Sequence, residues 1–370
     1  MRIISVVTLI TPDGAYGGPV RVAVNQAAAL RDLGHQVILL AGHRGFAEAP
    51  STVDGFPVRL YPARRILPGT GFAGLTSPGL LRALRGLLPG ADVVHIHAAR
   101  DLITLPAAAL AAQAKVPYFL QTHGMIDPSN HPLARPLDAL LTRRLLRGAA
   151  AVFHLTDFER RQLIEVAGTM HFSSLANGVP LAHLTAAPTN EVLYLARLAP
   201  RKRPLAFVEA AQCLHQEFPD TRFSMVGPDE GEAPAVTEAI RAANAIGSTV
   251  NWEGGLAPEA TLDRMSSAAV YVLPSVNEPY PMSVLEAMSL GKPVVVTDTC
   301  GLAEFITDHE AGLVVDSHVP TLVEALRTLL NDPAQAQAMG RRGRDAVRKE
   351  LSMDAIGRNL VAQYRAAISS

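Results

Sequence analysis

The stretch Leu273–Glu304, LPSVNEPYPMSVLEAMSLGKPVVVTDTCGLAE, decides the fold of this chain. Before it runs an apolar segment, Ala268 to Leu273, whose β-branched residues predict a buried strand. After a loop, Met282 to Leu290 carries apolar residues at helical spacing, and Gly291 is placed to end the helix. A second strand is predicted from Pro293 to Thr297. Strand, loop, helix and strand form a βαβ unit, so the chain is predicted to be an α/β protein.

Two carboxylates, Glu278 and Glu286, lie at the carboxyl end of this unit, where ligands of open α/β sheets bind. Such a pair could serve as the acid and base of a glycoside hydrolase. Pro279 and Pro281 argue against that role, because they keep Glu278 outside the helix while Glu286 falls about one turn inside it. We therefore expect the two side chains to hold different, hydroxyl-rich ends of one long ligand.

The start of the predicted helix lies between the two carboxylates. Its first residues, Met282, Ser283 and Val284, follow Pro281, and free backbone amides here give the helix a positive end that favours a phosphate. A ligand with two hydroxyl-rich ends and an anionic centre has the shape of a nucleotide diphosphate sugar.

The run EPYPMSVLEAM, residues 278–288, followed by GKPVV and GLAEFI, resembles the signature region of glycosyltransferase family 4, the retaining enzymes with the GT-B fold. The resemblance covers nearly the whole chain. It implies two Rossmann-like βαβ domains that face each other across a cleft. The family's two motif glutamates contact the donor sugar and the ribose, and they correspond here to Glu278 and Glu286. One common form of the motif has Phe-Gly in place of Tyr280 and Pro281, although Pro also occurs there.

The resemblance also implies which part of the chain binds which substrate. Residues 1–183 are expected to form the acceptor-binding domain and residues 184–352 the nucleotide-sugar-binding domain. A helix within 353–370 is expected to cross back to the first domain. The boundary rests on Ala182 to Asn190, whose Ala, Pro and Thr residues predict a linker. Just before it, Asn177 to Pro180 resembles the closing strand and exit turn of the family's first domain.

The composition sets broad limits. A chain of 370 residues with 48% hydrophobic residues can bury two cores, and a net charge of -1 requires no nucleic acid partner. The charge is uneven, because residues 1–180 hold 17 Lys and Arg against 11 Asp and Glu, whereas the rest hold 16 against 23. Cys213 and Cys300 are far apart in sequence, so they indicate neither a disulfide framework nor a metal site, and we expect both to be buried.

The opening run, Ile3 to Ile10, predicts a first strand and not a signal peptide, and no stretch reaches the ~18 apolar residues of a membrane span. We expect a cytoplasmic protein, with the inner face of the membrane as an alternative location. Two basic amphipathic segments, Leu80 to Leu88 and Arg135 to Arg147, are candidates for peripheral membrane contact, or equally for ordinary surface helices. Arg44 to Leu80, rich in Pro and Gly, predicts an irregular segment with one or two short strands.

The loop after the first strand, TPDGAYGGP, places Gly14, Gly17 and Gly18 before a helix predicted from about Val20 to Leu33. It lacks the glycine pattern of a dinucleotide site and the Lys-Ser/Thr of a P-loop. Adjacent glycines let a ligand approach the backbone closely, although taken alone they favour a tight turn. The resemblance implies that Gly17 and Gly18 lie over the donor diphosphate and acceptor.

Histidines end two of the predicted strands. Asp92 to His97 predicts a strand with His95 and His97 on one face, and without a nearby third ligand a core or cleft role is favoured over a metal site. His123 follows the strand Tyr118 to Gln121 directly. The sequence HGM at this point resembles the family's active-site loop, whose histidine reaches the donor sugar. The alternative is a loop histidine that bonds only to the backbone.

A basic run, ARLAPRKRP, follows a strand predicted from Glu191 to Leu195. Arg197 and Lys202 match the family's Arg and Lys that bind the donor diphosphate, where two cations would offset two phosphate charges and stabilise the leaving group. Arg201 and Arg203 lie close enough to make this assignment ambiguous.

The resemblance therefore implies a retaining glycosyltransferase that moves a sugar from a nucleotide diphosphate sugar, foremost a UDP- or GDP-sugar, to a glycan, lipid-linked or small-molecule acceptor. A role in cell-surface or extracellular polysaccharide or glycoconjugate biosynthesis is favoured. Catalysis would rest on positioning and charge stabilisation by four residues, His123, Glu278, Arg197 and Lys202. No cofactor or metal is expected, since the Asp-x-Asp motif of metal-using transferases is missing.

Three other functions remain open at this point. A GT-B sugar-nucleotide epimerase would release no transferred product, and the motif spacing matches it less well. A phosphorylase of the pyridoxal type would need a Schiff-base lysine. The non-enzymatic alternative is a GT-B scaffold subunit of a polysaccharide assembly complex, which would not need to bind a donor.

Overall fold

The computed structural model describes residues 1–12, 17–66, 71–129, 131, 134–181, 189–257 and 260–369. It divides into two compact units: unit 1 comprises Met1–Gly178 and Met353–Ser370, and unit 2 comprises Val179–Ser352. Gly14 of the glycine-containing loop lies outside the described residues, as does most of the predicted linker, residues 182–188.

The strands of unit 1 are mostly parallel. They are β1 (Arg2–Ile10), β2 (Gln36–His43), β3 (Thr52–Val53), β4 (Phe56–Pro62), β5 (Arg64–Arg65), β6 (Leu75–Thr76), β7 (Val93–His97), β8 (Tyr118–Gln121), β9 (Ala151–His154) and β10 (Phe172–Ser174). Eight of them form one sheet in the order β10-β9-β8-β7-β1-β2-β4-β3, in which only β3 runs antiparallel to its neighbour. β5 and β6 pair separately, also antiparallel.

The helices of unit 1 cover this sheet. They are α1 (Gly17–Asp32), α2 (Pro78–Leu87), α3 (Thr104–Gln113), α4 (Ala134–Leu137), α5 (Arg143–Gly148), α6 (Asp157–Ala167) and the C-terminal helix (Met353–Ser369). The C-terminal helix packs its buried residues Leu360 and Tyr364 against Phe119 and Phe153 of the sheet. Helices on the sheet explain why β1 is apolar and buried along nearly its whole length instead of alternating.

Unit 2 contains a six-stranded, fully parallel sheet in the order β13-β12-β11-β14-β15-β16. Its strands are β11 (Glu191–Leu195), β12 (Arg222–Val226), β13 (Val250–Trp252), β14 (Val270–Leu273), β15 (Val294–Thr297) and β16 (Gly312–Val315). Its helices are α7 (Pro204–Leu214), α8 (Ala233–Ala245), α9 (Thr261–Ser266), α10 (Met282–Ser289), α11 (Ala303–Asp308), α12 (Val319–Asn331) and α13 (Pro333–Ala346). The predicted βαβ unit is confirmed as β14, α10 and β15, and the α/β class is confirmed in both units.

The strand order of each sheet defines where a ligand can bind. In unit 2 the chain leaves β11 toward β12 and β13 and then returns to β14 on the other side. In unit 1 the neighbours of β1 are β2 and β7. Each reversal opens a crevice at the carboxyl ends of the two strands, which is the usual binding position in open α/β sheets.

Several local predictions were wrong. The described part of the segment from Arg44 to Leu80 contains four strands, and β4 belongs to the main sheet. Helix α1 begins at Gly17 and not near Val20. Cys213 is exposed, whereas Cys300 is buried as expected. Within Asn177 to Pro180 the structure records no strand, only a single bridge from Val179 to Ser352.

Candidate active site

The crevice of unit 2 holds a buried carboxylate shared by two cations. The Glu278 Oε2 atom accepts a hydrogen bond from Arg201 Nη1 at 2.6 Å and a second one from the Lys202 ammonium group. Glu278 is 6% exposed and Lys202 is 8% exposed. Because two cations meet one carboxylate, the cluster keeps a surplus of positive charge at the end of β11.

The loops that carry these side chains are tied together through the backbone. The Val276 amide donates to the Arg201 carbonyl at 2.9 Å, and the Gly301 amide donates to the Glu278 carbonyl at 2.8 Å. A Cβ atom at Gly301 would lie 1.8 Å from the Pro279 carbonyl oxygen, so only glycine allows this approach. The position of Glu278 is therefore fixed by two neighbouring loops as well as by its ion pairs.

Arg197, which was predicted to bind the diphosphate together with Lys202, has a different partner. Its guanidinium pairs with Glu230, and its side chain is 54% exposed. It still lies close enough to Lys202 that its charge, with that of Arg201, lowers the pKa of Lys202. The largest cause of that shift is burial, and the adjacent Glu278 carboxylate opposes it. The sequence alone did not identify Arg201 as a partner of Glu278.

Helix α10 begins beside this cluster, with Pro281 in the N-cap position. The Tyr271 hydroxyl lies 2.8 Å from Ser283 Oγ and donates to the Leu195 carbonyl at 2.9 Å, which joins the first turn of α10 to the end of β11. Val284 is buried and Met282 is half-buried. Glu286 lies inside α10 and is half-buried, whereas Glu278 precedes the helix, as the prolines predicted.

In unit 1, His123 follows β8 in a left-handed backbone conformation, with φ of 50°. The buried Glu159 carboxylate holds the loop on both sides of it. One oxygen accepts from Thr122 Oγ1 at 2.5 Å and from the Gly124 amide at 2.7 Å, and the other accepts from the Leu155 amide at 2.7 Å. The role of this carboxylate was not predicted from the sequence. The pattern Thr156-x-x-Glu159 at the start of α6 resembles a capping box and could have drawn attention to it.

Three histidines form a row from β7 to this loop. His97 Nδ1 lies 2.8 Å from His123 Nε2, and the His95 and His97 rings are parallel within 7° with centroids 4.8 Å apart. His95 Nδ1 lies 2.6 Å from the Tyr364 hydroxyl of the C-terminal helix. Burial lowers the pKa of His123 to about 4 and that of His95 to about 3. The row is therefore uncharged near pH 7.

Gly17 and Gly18 occupy the first turn of α1, after the loop that follows β1. Gly18 is exposed, and a Cβ atom built there would meet no atom of the described residues within 4 Å. Among these residues nothing blocks a ligand from approaching Gly18, and their packing does not require glycine at this position.

Other polar groups at these sheet edges have structural partners. Arg100 makes a two-fold contact with Asp138, at 2.9 and 3.0 Å. The buried Asp101 accepts from the amides of Ile103 and Thr104 at the start of α3. A cavity of about 850 Å³ in unit 2 lies at the amino ends of β11 to β13, away from the candidate residues, and its Arg264 pairs with Glu191 and Glu253, two other lining residues.

Among the residues that the structure describes, no group of three or more His, Cys, Asp or Glu side chains could hold a metal ion. Across the same residues, none of the helices combines the length and hydropathy needed to cross a bilayer.

Comparison with known proteins accounts for both units. The family described as Glycosyl transferase 4-like domain matches residues 17–171, and the family described as Glycosyl transferases group 1 matches residues 182–346. Together these matches cover most of the chain, which belongs to the GT-B glycosyltransferases of family 4.

Individual proteins agree with this assignment. The D-inositol 3-phosphate glycosyltransferase of Kineococcus radiotolerans is 27% identical over 377 residues, covering 89% of this chain and 86% of that protein. The alpha-D-kanosaminyltransferase of Streptomyces kanamyceticus is 27% identical over 68% of this chain and 70% of that protein. The crystal structure of HepE from Anabaena in complex with UDP shares the fold, with a TM-score of 0.70 and 17% identity over 99% of this chain and 100% of that chain. The protein is a transferase, and glycosyl transfer from a nucleotide sugar is the activity that these similarities support.

Proposed function

We propose that the protein is a retaining glycosyltransferase that uses a nucleotide diphosphate sugar, foremost a UDP-sugar. Unit 2 would bind the donor and unit 1 the acceptor. The observation that carries this proposal is the surplus of cations around Glu278 at the crevice of unit 2, directly beside the start of α10. A surplus of positive charge beside a helix N-terminus suits a diphosphate, and the Glu278 carboxylate suits a hydroxyl-bearing sugar.

Each residue of unit 2 then has a distinct role. Lys202 and Arg197 bind the diphosphate with the amides of Met282, Ser283 and Val284, and Glu278 orients the donor sugar. Glu286, one turn further along α10, binds the ribose hydroxyls. The HepE structure contains UDP, which supports a uridine donor, while GDP-sugars remain the second choice.

Unit 1 supplies the remaining proposed contacts. Gly17 and Gly18 offer open backbone near the diphosphate and acceptor, and His123 contacts the donor sugar near the reacting carbon. The acceptor is proposed to be a glycan, a lipid-linked sugar or a small molecule in cell-surface or extracellular polysaccharide or glycoconjugate biosynthesis. Action in the cytoplasm at the membrane surface is part of the same proposal. Leu140, which is 79% exposed within the basic segment of Arg135 to Arg147, is consistent with peripheral membrane contact.

The reaction is proposed to retain the anomeric configuration. Glu278 Oε2 is already bound to Arg201 and Lys202, which makes it a poor nucleophile toward the anomeric carbon. Attack of the acceptor hydroxyl on the face from which the nucleotide diphosphate leaves, with the leaving phosphate taking the hydroxyl proton, needs no protein nucleophile. The cations would stabilise the charge that develops on the leaving phosphate.

The first test is thermal stability of the full-length protein with UDP, GDP, ADP and TDP and their common sugars. A ligand that binds only the folded state stabilises it by about 2.7 kcal/mol at a hundredfold excess over its dissociation constant. We expect a shift with UDP that Glu286→Ala reduces. Nuclear magnetic resonance of the product formed from the identified donor then reads the anomeric configuration, and an inverted product would refute retention. Absence of a shift with every nucleotide would favour the scaffold function instead.

A further inference from the structure

His123 is joined to a second histidine that the proposed function leaves without a role. His97 Nδ1 and His123 Nε2 are 2.8 Å apart, the two rings are parallel within 9°, and their centroids are 5.1 Å apart. The distance between the two ring centroids exceeds the distance between the two bonded nitrogens by about twice the radius of an imidazole ring. The bonded nitrogens therefore lie between the ring centres, which is the geometry of a nearly linear hydrogen bond.

Only one proton can lie between these two nitrogens. Burial lowers the pKa of both histidines, so both rings are neutral near pH 7. A neutral imidazole has one N–H donor and one acceptor nitrogen. Either His97 donates from Nδ1, or His123 donates from Nε2.

The second nitrogen of His97 decides between these alternatives. His97 is 1% exposed, and its Nε2 atom is buried with no hydrogen-bond partner among the described residues. If His123 were the donor, His97 Nε2 would carry a proton with nothing to accept it. Among backbone groups, buried N–H donors without a partner are rarer than under-satisfied C=O acceptors, and the same preference favours an Nε2 atom without a proton. His97 therefore carries its proton on Nδ1 and donates it to His123 Nε2.

We propose that His97 is a positioning residue that holds His123 in the Nδ1–H tautomer, so that His123 presents an N–H donor to an oxygen of the bound substrate. This inference rests on the proposed contact of His123 with the donor sugar, and it makes His123 the hydrogen-bond donor in that contact. The substrate atom must be an acceptor, such as a hydroxyl or phosphate oxygen. Glu159 holds the backbone of the loop, and His97 sets the ring and its proton.

The tautomer can be read directly in full-length protein labelled with ¹⁵N at histidine. Long-range ¹H–¹⁵N correlation spectra separate protonated from bare ring nitrogens, and the His123 signals are those lost in His123→Gln. We expect a protonated Nδ1 and a bare Nε2 at neutral pH. In His97→Phe, which keeps a ring and removes both nitrogens, His123 should shift toward Nε2–H, the form that free histidine prefers. His95→Phe, on the same face of β7, is the matched control and should leave the tautomer unchanged.

Kinetics supply the second readout. We expect His97→Phe to lower kcat about tenfold with little change in the KM for the donor, because one oriented hydrogen bond is affected. His97→Asn places an amide N–H near the position of Nδ1 and should recover part of the loss, whereas general damage to the fold would not be repaired in this way.

The outcomes separate this inference from the proposed function. A wild-type His123 protonated on Nε2, or a tautomer unchanged in His97→Phe, would overturn the role of His97. The wild-type spectrum decides the first point even if a variant fails to fold. A changed tautomer with undiminished turnover would instead refute the proposed contact between His123 and the substrate.

Discussion

Both units carry their candidate residues at the carboxyl ends of largely parallel strands. The two sets of residues differ in charge. In unit 1, burial lowers the pKa of His95 and His123 far below the ordinary value, so the histidine row is neutral. In unit 2, Glu278 is also buried but lies between Arg201 and Lys202, so the buried carboxylate has two countercharges. The histidine row is neutral, whereas the Glu278 cluster concentrates charge.

The difference suits two kinds of ligand group. A sugar hydroxyl is neutral and is oriented best by a fixed hydrogen-bond donor, while a diphosphate needs cations that remain charged. A charged histidine row would itself attract anions. A neutral row would leave Lys202 and Arg197 as the proposed phosphate ligands. Removing charge from unit 2, or adding charge to the histidine row of unit 1, would abolish this difference between the two sites.

The largest expected effect comes from Glu278→Gln, which keeps the shape and removes the charge. It leaves Lys202 buried without its carboxylate, and breaking a buried pair in this way costs about 3–5 kcal/mol of unfolding free energy. We expect kcat/KM to fall by about a hundredfold or more, as for other groups that act on charge in the transition state. Urea unfolding and initial rates measure the two effects.

The matched control for Glu278→Gln is Glu238→Gln. Glu238 pairs with Arg241 on the surface, and both side chains are at least 70% exposed. Exposed pairs contribute about 1 kcal/mol or less, so this variant should leave stability and rate nearly unchanged. Equal losses in the two variants would show that the Glu278 cluster has no special role.

Lys202→Met should come next in size. It removes one of the cations proposed to bind the diphosphate while Arg201 still pairs with Glu278, so the loop should remain in place. Charge-assisted hydrogen bonds contribute about 1.5–3 kcal/mol, which corresponds to a loss of UDP affinity of about tenfold to a hundredfold. Titration calorimetry measures the affinity, with the exposed Lys349→Met as control. Undiminished UDP binding in Lys202→Met would contradict the proposed diphosphate site.

Glu286→Ala should weaken UDP binding about tenfold through the ribose hydroxyls, with a smaller effect on turnover at saturating donor. His123→Ala should do the reverse and mainly lower turnover. A dideoxyribose analogue of UDP sharpens the first test, because it should bind wild type and Glu286→Ala equally. If wild type binds UDP and the analogue with the same affinity, Glu286 does not contact the ribose.

The fold could be predicted from the sequence where apolar runs alternate with Pro and Gly residues. The unit β14, α10 and β15 was predicted within two residues at its ends because both strands are continuous apolar runs. Strand β4 was not located within the predicted irregular segment, because Pro57 and Pro62 interrupt its apolar pattern. Helix α13 was not predicted, because its buried face consists mostly of Ala and Gly and therefore lacks a clear apolar pattern. The close packing of this face requires small residues, since a Cβ atom at Gly340 would lie 2.0 Å from the Gly291 carbonyl oxygen.

The individual site residues were named from a motif, but their partners were not. Glu278 and Lys202 are 76 positions apart, and nothing in either loop predicts that they meet. His97 ends β7 and His123 follows β8, so their hydrogen bond follows from the parallel pairing of these strands and not from spacing. Sequence thus predicted candidate residues at the ends of strands, while the partners of these residues required the fold.

The smallest expected effect, expressed per pH unit, concerns the pH dependence of stability and tests whether the histidine row of unit 1 is neutral. His95 and His123 have folded pKa values of about 3 and about 4, below the value near 6.5 expected in the unfolded chain. Between pH 6.5 and 4 the unfolded chain therefore binds more protons than the folded one, and stability falls as the pH drops through this window. Each histidine contributes up to about 1.4 kcal/mol per pH unit. We expect denaturant unfolding, followed by a probe in unit 1, to show this slope in wild type and a shallower slope in His95→Phe. An equal slope in both proteins would mean that His95 accepts a proton in the folded state, and the contrast between a neutral and a charged site would then fail.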